Sequence, residues 1–216
     1  MALPTHQTLL LLATLCTGCL CADPVIEGVV QLPKPPVRRP IPPRYENVPA
    51  DLIASPAPPV AVVFLEGEFP PASPAGTNAV LAQHRLQFEQ ALLPVRVGTT
   101  VEFPNHDDLY HNVFSFSKPR RFDLGRYARG DAPPPQVFDR PGVVRLNCEI
   151  HPHMRATLLV LETPFFTRTD TNGAYRLTGL PAGRYILKAW LDEKDVRERP
   201  VELGPDGALR VDFPAP

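Results

Sequence analysis

Short runs in which apolar side chains fall on every second position, or crowd together as β-branched residues, recur along this chain of 216 residues. They occupy Val25 to Leu32, Val60 to Leu65, Leu93 to Phe103, Asn112 to Phe116, Gln136 to Phe138, Val143 to Cys148, Thr157 to Leu161, Ala174 to Leu177, Arg184 to Trp190 and Leu209 to Phe213. A period of two places alternate side chains on opposite faces of a strand, and Gly, Pro, Asn and Asp punctuate the intervals as turns. The pattern predicts an all-β fold built from sandwiches. One stretch, Asn78 to His84, reads as a short helix, too short to change the class.

The last fifty residues carry a pattern of their own. In "TDTNGAYRL" (169–177) Asp170, Asn172 and Gly173 supply turn chemistry before a strand, and "LPAG" (180–183) supplies a second turn before Arg184 to Trp190. This segment resembles the carboxypeptidase-regulatory-like, or transthyretin-like, β-sandwich module, which implies a noncatalytic structural or adhesive unit. The opening strands of that family match "IEGVVQL" (26–32) and "VAVVFLEG" (60–67), far upstream. The expected organisation is therefore a split sandwich with another domain inserted, as exposed turns tolerate. Its parts are a leader over 1–22, first strands over 23–67 with a Pro-rich excursion at 32–59, an inserted domain over 83–162, and the remaining strands over 163–216.

Composition adds three constraints. A hydrophobic content of 44% is ample for a core, and a net charge of −1 gives no basic field for nucleic acid. The first residues, with an apolar run from Leu9 to Leu15 followed by small residues, have the pattern of a secretory leader, too short to span a bilayer. The expected location is periplasmic, secreted or cell-surface, without a transmembrane span after leader removal; lipid attachment at Cys19 is the alternative. Cys16, Cys19 and Cys21 fall in or beside the leader, so its removal near Ala22 leaves Cys148 as the sole thiol and Met154 as the sole thioether. Thiolate and thioether select soft metals.

"NCEIHPHM" (147–154) then carries the candidate chemistry. Its C-x2-H-x2-M spacing lets a tight loop at the end of a strand turn Cys148, His151 and Met154 onto one centre, with Pro152 stiffening it. A further ligand must come from another strand, and His111 stands at the entrance of the run beginning "HNV". Two imidazoles and a thiolate with a weak thioether suit a mononuclear copper ion.

The segments "VRVGTTVEFPN" (95–105), "HNV" (111–113), "DRPGVVRLNC" (139–148) and "CEIHPHMRATLLVLE" (148–162) together resemble the cupredoxins, most closely the amicyanin-type blue copper proteins also akin to plastocyanin. The resemblance spans roughly Gln83 to Glu162. It implies a Greek-key β-sandwich holding one Cu(I)/Cu(II) ion, with His111, Cys148 and His151 equatorial and Met154 axial. It also implies that Asn112 ties the ligand loops together and that electrons leave by the edge of His151. The expected function is electron transfer, not catalysis, between a donor and an acceptor of the cytochrome c or dehydrogenase type, of the kind associated with methylamine utilisation. The stretch "FDLGRYARGDAPPPQ" (122–136) has no close amicyanin counterpart, so partner identity does not transfer.

Other readings use the same residues. A zinc site would share the ligands, and Met154 is what discriminates, because zinc rarely recruits a thioether. Cys148 as a nucleophile activated by His151 lacks an orienting third group. A multicopper enzyme needs several H-x-H pairs, and the chain has one, His151 with His153; His153 then reads as a solvent-facing neighbour. A copper-carrying or surface binding protein without electron transfer is the remaining class, and a buried strand-end thiol among surface histidines is the plain alternative. His106 reads as a surface loop residue, Trp190 as a core residue of the carboxy-terminal sandwich, and Lys118, Arg120, Arg121, Arg126 and Arg129 as a solvated loop, or a dock for an acidic redox partner.

Overall fold

The computed structural model describes residues 23–35, 57–69 and 77–215. The expected leader, with Cys16, Cys19 and Cys21, and residues 36–56 of the Pro-rich excursion lie outside the described residues. Within them the chain is all-β and contains no helix. Among the described residues, no helix is long and apolar enough to cross a membrane.

In chain order the strands are β1 (Val25–Val29), β2 (Val62–Glu66), β3 (Asn78–Val80), β4 (Gln83–His84), β5 (Gln87–Phe88), β6 (Leu92–Arg96), β7 (Thr99–Glu102), β8 (His111–Phe116), β9 (Arg121–Tyr127), β10 (Gln136–Phe138), β11 (Gly142–Asn147), β12 (Arg155–Leu161), β13 (Phe166–Arg168), β14 (Ala174–Leu177), β15 (Gly183–Trp190), β16 (Val196–Leu203) and β17 (Ala208–Arg210). A five-stranded sheet, β6-β12-β11-β8-β9, and a three-stranded sheet, β10-β7-β3, enclose one core with the small β4-β5 hairpin. A four-stranded sheet, β13-β2-β15-β16, and a three-stranded one, β14-β1-β17, enclose another.

β1 and β2, remote in sequence, pair with late strands. β1 runs antiparallel to β14, with Ile26 opposite Leu177, and β2 lies between β13 and β15. Gly173, at the turn before β14, has a φ of 85° and would drive a Cβ to within 2.0 Å of the Val30 carbonyl oxygen, so this turn requires glycine.

A third apolar cluster lies between the two sandwiches. Ala156, Leu158 and Val160 of β12 face the first core, whereas Leu159 and Leu161, on the opposite face, join Leu92, Val62 and Trp190. Val63 and Leu65 of β2 likewise enter the second core while Val62 faces the cluster between. Burial on both faces explains why "TLLVL" (157–161) and "AVVFL" (61–65) read as continuous apolar runs and not as alternation. A large apolar side chain removed from water contributes roughly 1.5–3 kcal/mol, against about 0–1 for an exposed ion pair. The five buried side chains of this cluster therefore dominate over the exposed Arg145–Glu193 pair.

Three expectations change. Asn78 to His84 is not helical: β3 pairs in parallel with β7, and Gln83–His84 pairs with Gln87–Phe88, because strand pairing satisfies a backbone that would make less than two helical turns alone. Trp190 packs between the sandwiches and not inside the carboxy-terminal core. Arg121 and Arg126 stand on β9, whose Phe122 and Leu124 turn toward the first core, so this segment is a strand and not a loop.

Candidate metal centre

The antiparallel register of β11 and β12 ends with Asn147 opposite Arg155, so the loop 148–154 leaves and re-enters the sheet on facing residues. Its buried positions are Cys148, His151 and Met154, while Glu149, Pro152 and His153 are exposed. The spacing of three is thus the loop's inward period. The Met154 N–H donates to the His151 carbonyl at 2.8 Å, closing a four-residue turn. Pro152 occupies its second position, where a fixed φ near −65° suits the turn.

His111 opens β8 on the face shared with Val113, which points into the first core. The consequence is convergence. His111 Nδ1 lies 3.0 Å from His151 Nδ1, and Cys148 Sγ lies 3.7 Å from His151 Nδ1. One donor atom from each of the three residues falls within 4.8 Å of the others. The site is nearly dry: His111 is 0% exposed, Cys148 2%, His151 6% and Met154 1%. Met154 packs in the same apolar cluster as Cys148.

Asp107 was not singled out by the sequence, and it fixes one imidazole. Its Oδ2 lies 2.9 Å from His111 Nε2, so Nε2–H donates to the carboxylate and Nδ1 is left facing the other donors. The same carboxylate accepts from the Arg85 N–H at 2.7 Å and the Leu86 N–H at 2.9 Å. Burial works to raise the Asp107 carboxyl, but the hydrogen bonds from His111, Leu86 and Arg85 outweigh it and hold it at about 2. Burial likewise opposes charge on His111, and hydrogen bonding with Asp107 and Cys148 overcomes it, so this histidine titrates above its ordinary value. For Cys148, burial pushes the thiol up, yet His111, His151 and nearby backbone N–H groups bring it down to about 5. The thiol is then ionised at neutral pH, the form that ligates metals.

Asn112 joins three segments. β9 carries one extra residue where the register passes from Asn112 opposite Arg126 to Phe114 opposite Asp123, a bulge that Gly125 permits with a φ of 68°. The Asn112 amide donates to Asp123 Oδ1 at 2.6 Å and to the Gly125 carbonyl at 3.2 Å, while its oxygen accepts from the Glu149 N–H at 3.2 Å. The residue after His111 is thereby tied to the residue after Cys148.

His153 stands apart from the convergent donors; its Nε2 lies 3.0 Å from the Leu86 carbonyl oxygen. His106 is a half-exposed surface residue 3.7 Å from Glu89. The donors present are two imidazole nitrogens, one thiolate and an adjacent buried thioether, a set suited to a soft, tightly enclosed metal ion.

No family model matches the chain, and no curated protein matches it. Among solved structures, it is similar over 46% of its length to the Cu-containing nitrite reductase (NirK) from Thermus scotoductus SA-01, at 25% identity and a TM-score of 0.37, spanning 25% of that chain. It is similar over 46% of its length to 98% of a methionine-to-alanine mutant of amicyanin in its Cu(I) form, at 21% identity and a TM-score of 0.36. It also aligns over 39% of its length with 99% of the purple cupredoxin from Nitrosopumilus maritimus, at 23% identity and a TM-score of 0.34.

Around the site, three of the arginines expected in a solvated loop have partners. Arg126 pairs with Glu149 at 3.3 Å, Arg129 with Asp108 at 3.0 Å, and Arg120 donates to Gln136 Oε1 at 3.0 Å. Arg126 thus links the bulged strand to the residue after Cys148 through an exposed ion pair.

Proposed function

We propose that the chain is an exported blue (type 1) copper protein that carries single electrons between periplasmic or cell-surface partners of the cytochrome c or dehydrogenase kind. The supporting observation is the dry convergence of His111 Nδ1, Cys148 Sγ and His151 Nδ1, with Met154 buried beside them. These three would hold one copper ion, with the Met154 thioether as a further, weak donor. Bound copper would supply the one-electron Cu(I)/Cu(II) couple. The chain's own residues do the rest. Asp107 and Asn112 hold the donors in place through hydrogen bonds, so little rearrangement accompanies a change of charge. His151 is the most exposed of the three convergent residues, which suits it as the edge through which electrons pass. No substrate bond is made or broken in this reading.

The test is spectroscopic. Cu(II) added to the purified chain should produce an intense thiolate-to-copper absorption band, and Cys148→Ser should abolish it. A colourless complex with a preference for zinc would overturn the reading. Reversible redox cycling of the loaded protein separates an electron carrier from a store of copper.

A further inference from the structure

The two-residue turn between β4 and β5 is unusual. Arg85 and Leu86 both have left-handed backbones, with φ of 55° and 57°, the geometry of a type I′ hairpin turn that ordinarily recruits Asn and Gly. Neither residue has the chemistry for it, so the surroundings must hold it.

The holding groups come from both metal-site segments. On one side, Asp107 accepts from both turn N–H groups while its Oδ2 also meets His111 Nε2. On the other, His153, in the loop that carries Cys148, His151 and Met154, lies with Nε2 at 3.0 Å from the Leu86 carbonyl. The Leu86 side chain is buried in the same core cluster as Cys148 and Met154. The hairpin itself is stitched to the segment before Asp107, since the Gln83 N–H donates to the Pro104 carbonyl and the His106 N–H to the Gln83 carbonyl, each at 2.9 Å.

We propose that the Arg85–Leu86 turn is a clasp joining the His111 segment to the Cys148–Met154 loop, and that His153 and Asp107 are the positioning residues that close it. As a statement about a copper site, this rests on the reading above; as a statement about the closure of the Cys148 pocket, it does not. His153 acts through the Leu86 carbonyl and binds no metal. Its donated hydrogen bond keeps the loop seated on the hairpin, and the same hairpin fixes the carboxylate that orients His111. Loss of either fastening lets the two segments part.

The experiment uses the full chain with Cys16, Cys19 and Cys21 replaced by serine, so that Cys148 is its one thiol. In the metal-free protein, His153→Ala and His153→Phe should raise the rate of Cys148 alkylation by a maleimide about tenfold, the factor by which losing one hydrogen bond that holds the pocket shut favours its opening. His153→Gln, which retains an N–H donor, should stay within about twofold of the parent. Asp107→Ala should raise the rate as His153→Ala does, and the double variant should fall short of the product of the two factors, because both fasten one element. Alkylation of His153→Ala and His153→Phe at the parent rate, with far-UV circular dichroism unchanged, would overturn the clasp. In copper-loaded protein the same substitutions should speed copper loss to a chelator and alter the ratio of the thiolate-to-copper bands. A parent chain lacking the Cys148-dependent band sinks the copper reading, while the metal-free alkylation rates still decide the clasp.

Discussion

At the scale of single residues the site is governed by what neighbours do to proton affinity. Cys148 is buried, which alone would keep it a thiol, but the facing imidazoles and backbone donors reverse the outcome. In metal-free protein the thiolate absorbance, taken as the difference between the native chain and Cys148→Ser, should therefore vanish on acidification with a midpoint near 5 instead of near 9. The sign follows from hydrogen bonding to the anion, which favours proton release. Asn112 makes a second case. Asn112→Ala leaves the Glu149 N–H without its side-chain acceptor and removes two amide hydrogen bonds at the bulge. A loss of about 1–3 kcal/mol of unfolding free energy, read by urea titration, is expected. Cys148, His151 and Met154 were legible from their spacing, because that spacing is also the inward period of the loop. Asp107 was not, since an aspartate four residues before a histidine acquires meaning only when a turn brings the two together.

At the scale of elements, the strands announced by alternation are those with one face in a core, and the hidden ones have a physical excuse. β16 reads "VRERPVEL", with charges and a proline, yet it is an edge strand paired only with β15, where a missing N–H is tolerated and charge discourages further pairing. The β4-β5 hairpin has no sequence signal because "HRLQ" (84–87) carries no turn residue, its geometry being imposed by Asp107 and not by its own chemistry. Left-handed backbone costs an ordinary residue roughly 1–2 kcal/mol. Arg85→Asn, which suits the first central position of such a turn, should accordingly raise the unfolding free energy by up to about 1 kcal/mol, visible as a shifted urea midpoint at unchanged slope.

At the scale of the molecule, two sandwiches share an apolar seam. Trp190 is its largest buried member and the only tryptophan in the chain. Trp190→Ala should cost about 3–5 kcal/mol. Far-UV circular dichroism is the suitable probe, because the substitution removes the fluorophore. Since the seam is what couples the two cores, the native chain should unfold in one transition and the variant in two. The all-β class was plain from periodicity, but the seam was not: a run apolar on both faces says only that it is covered twice, and not by what.

The first sandwich is carried between β2 and β13, and these two strands are direct neighbours, with Phe64 opposite Phe166. For the second sandwich, everything from Gly67 to Phe165 is topologically a loop of roughly a hundred residues whose ends must meet. Closing so long a loop costs about 2–3 kcal/mol more in chain entropy than closing one of a few residues. If the intervening sandwich has already folded with its termini side by side, that cost falls on its own formation. The chain thus favours an order of assembly in which the middle folds first and the outer strands close around its two ends.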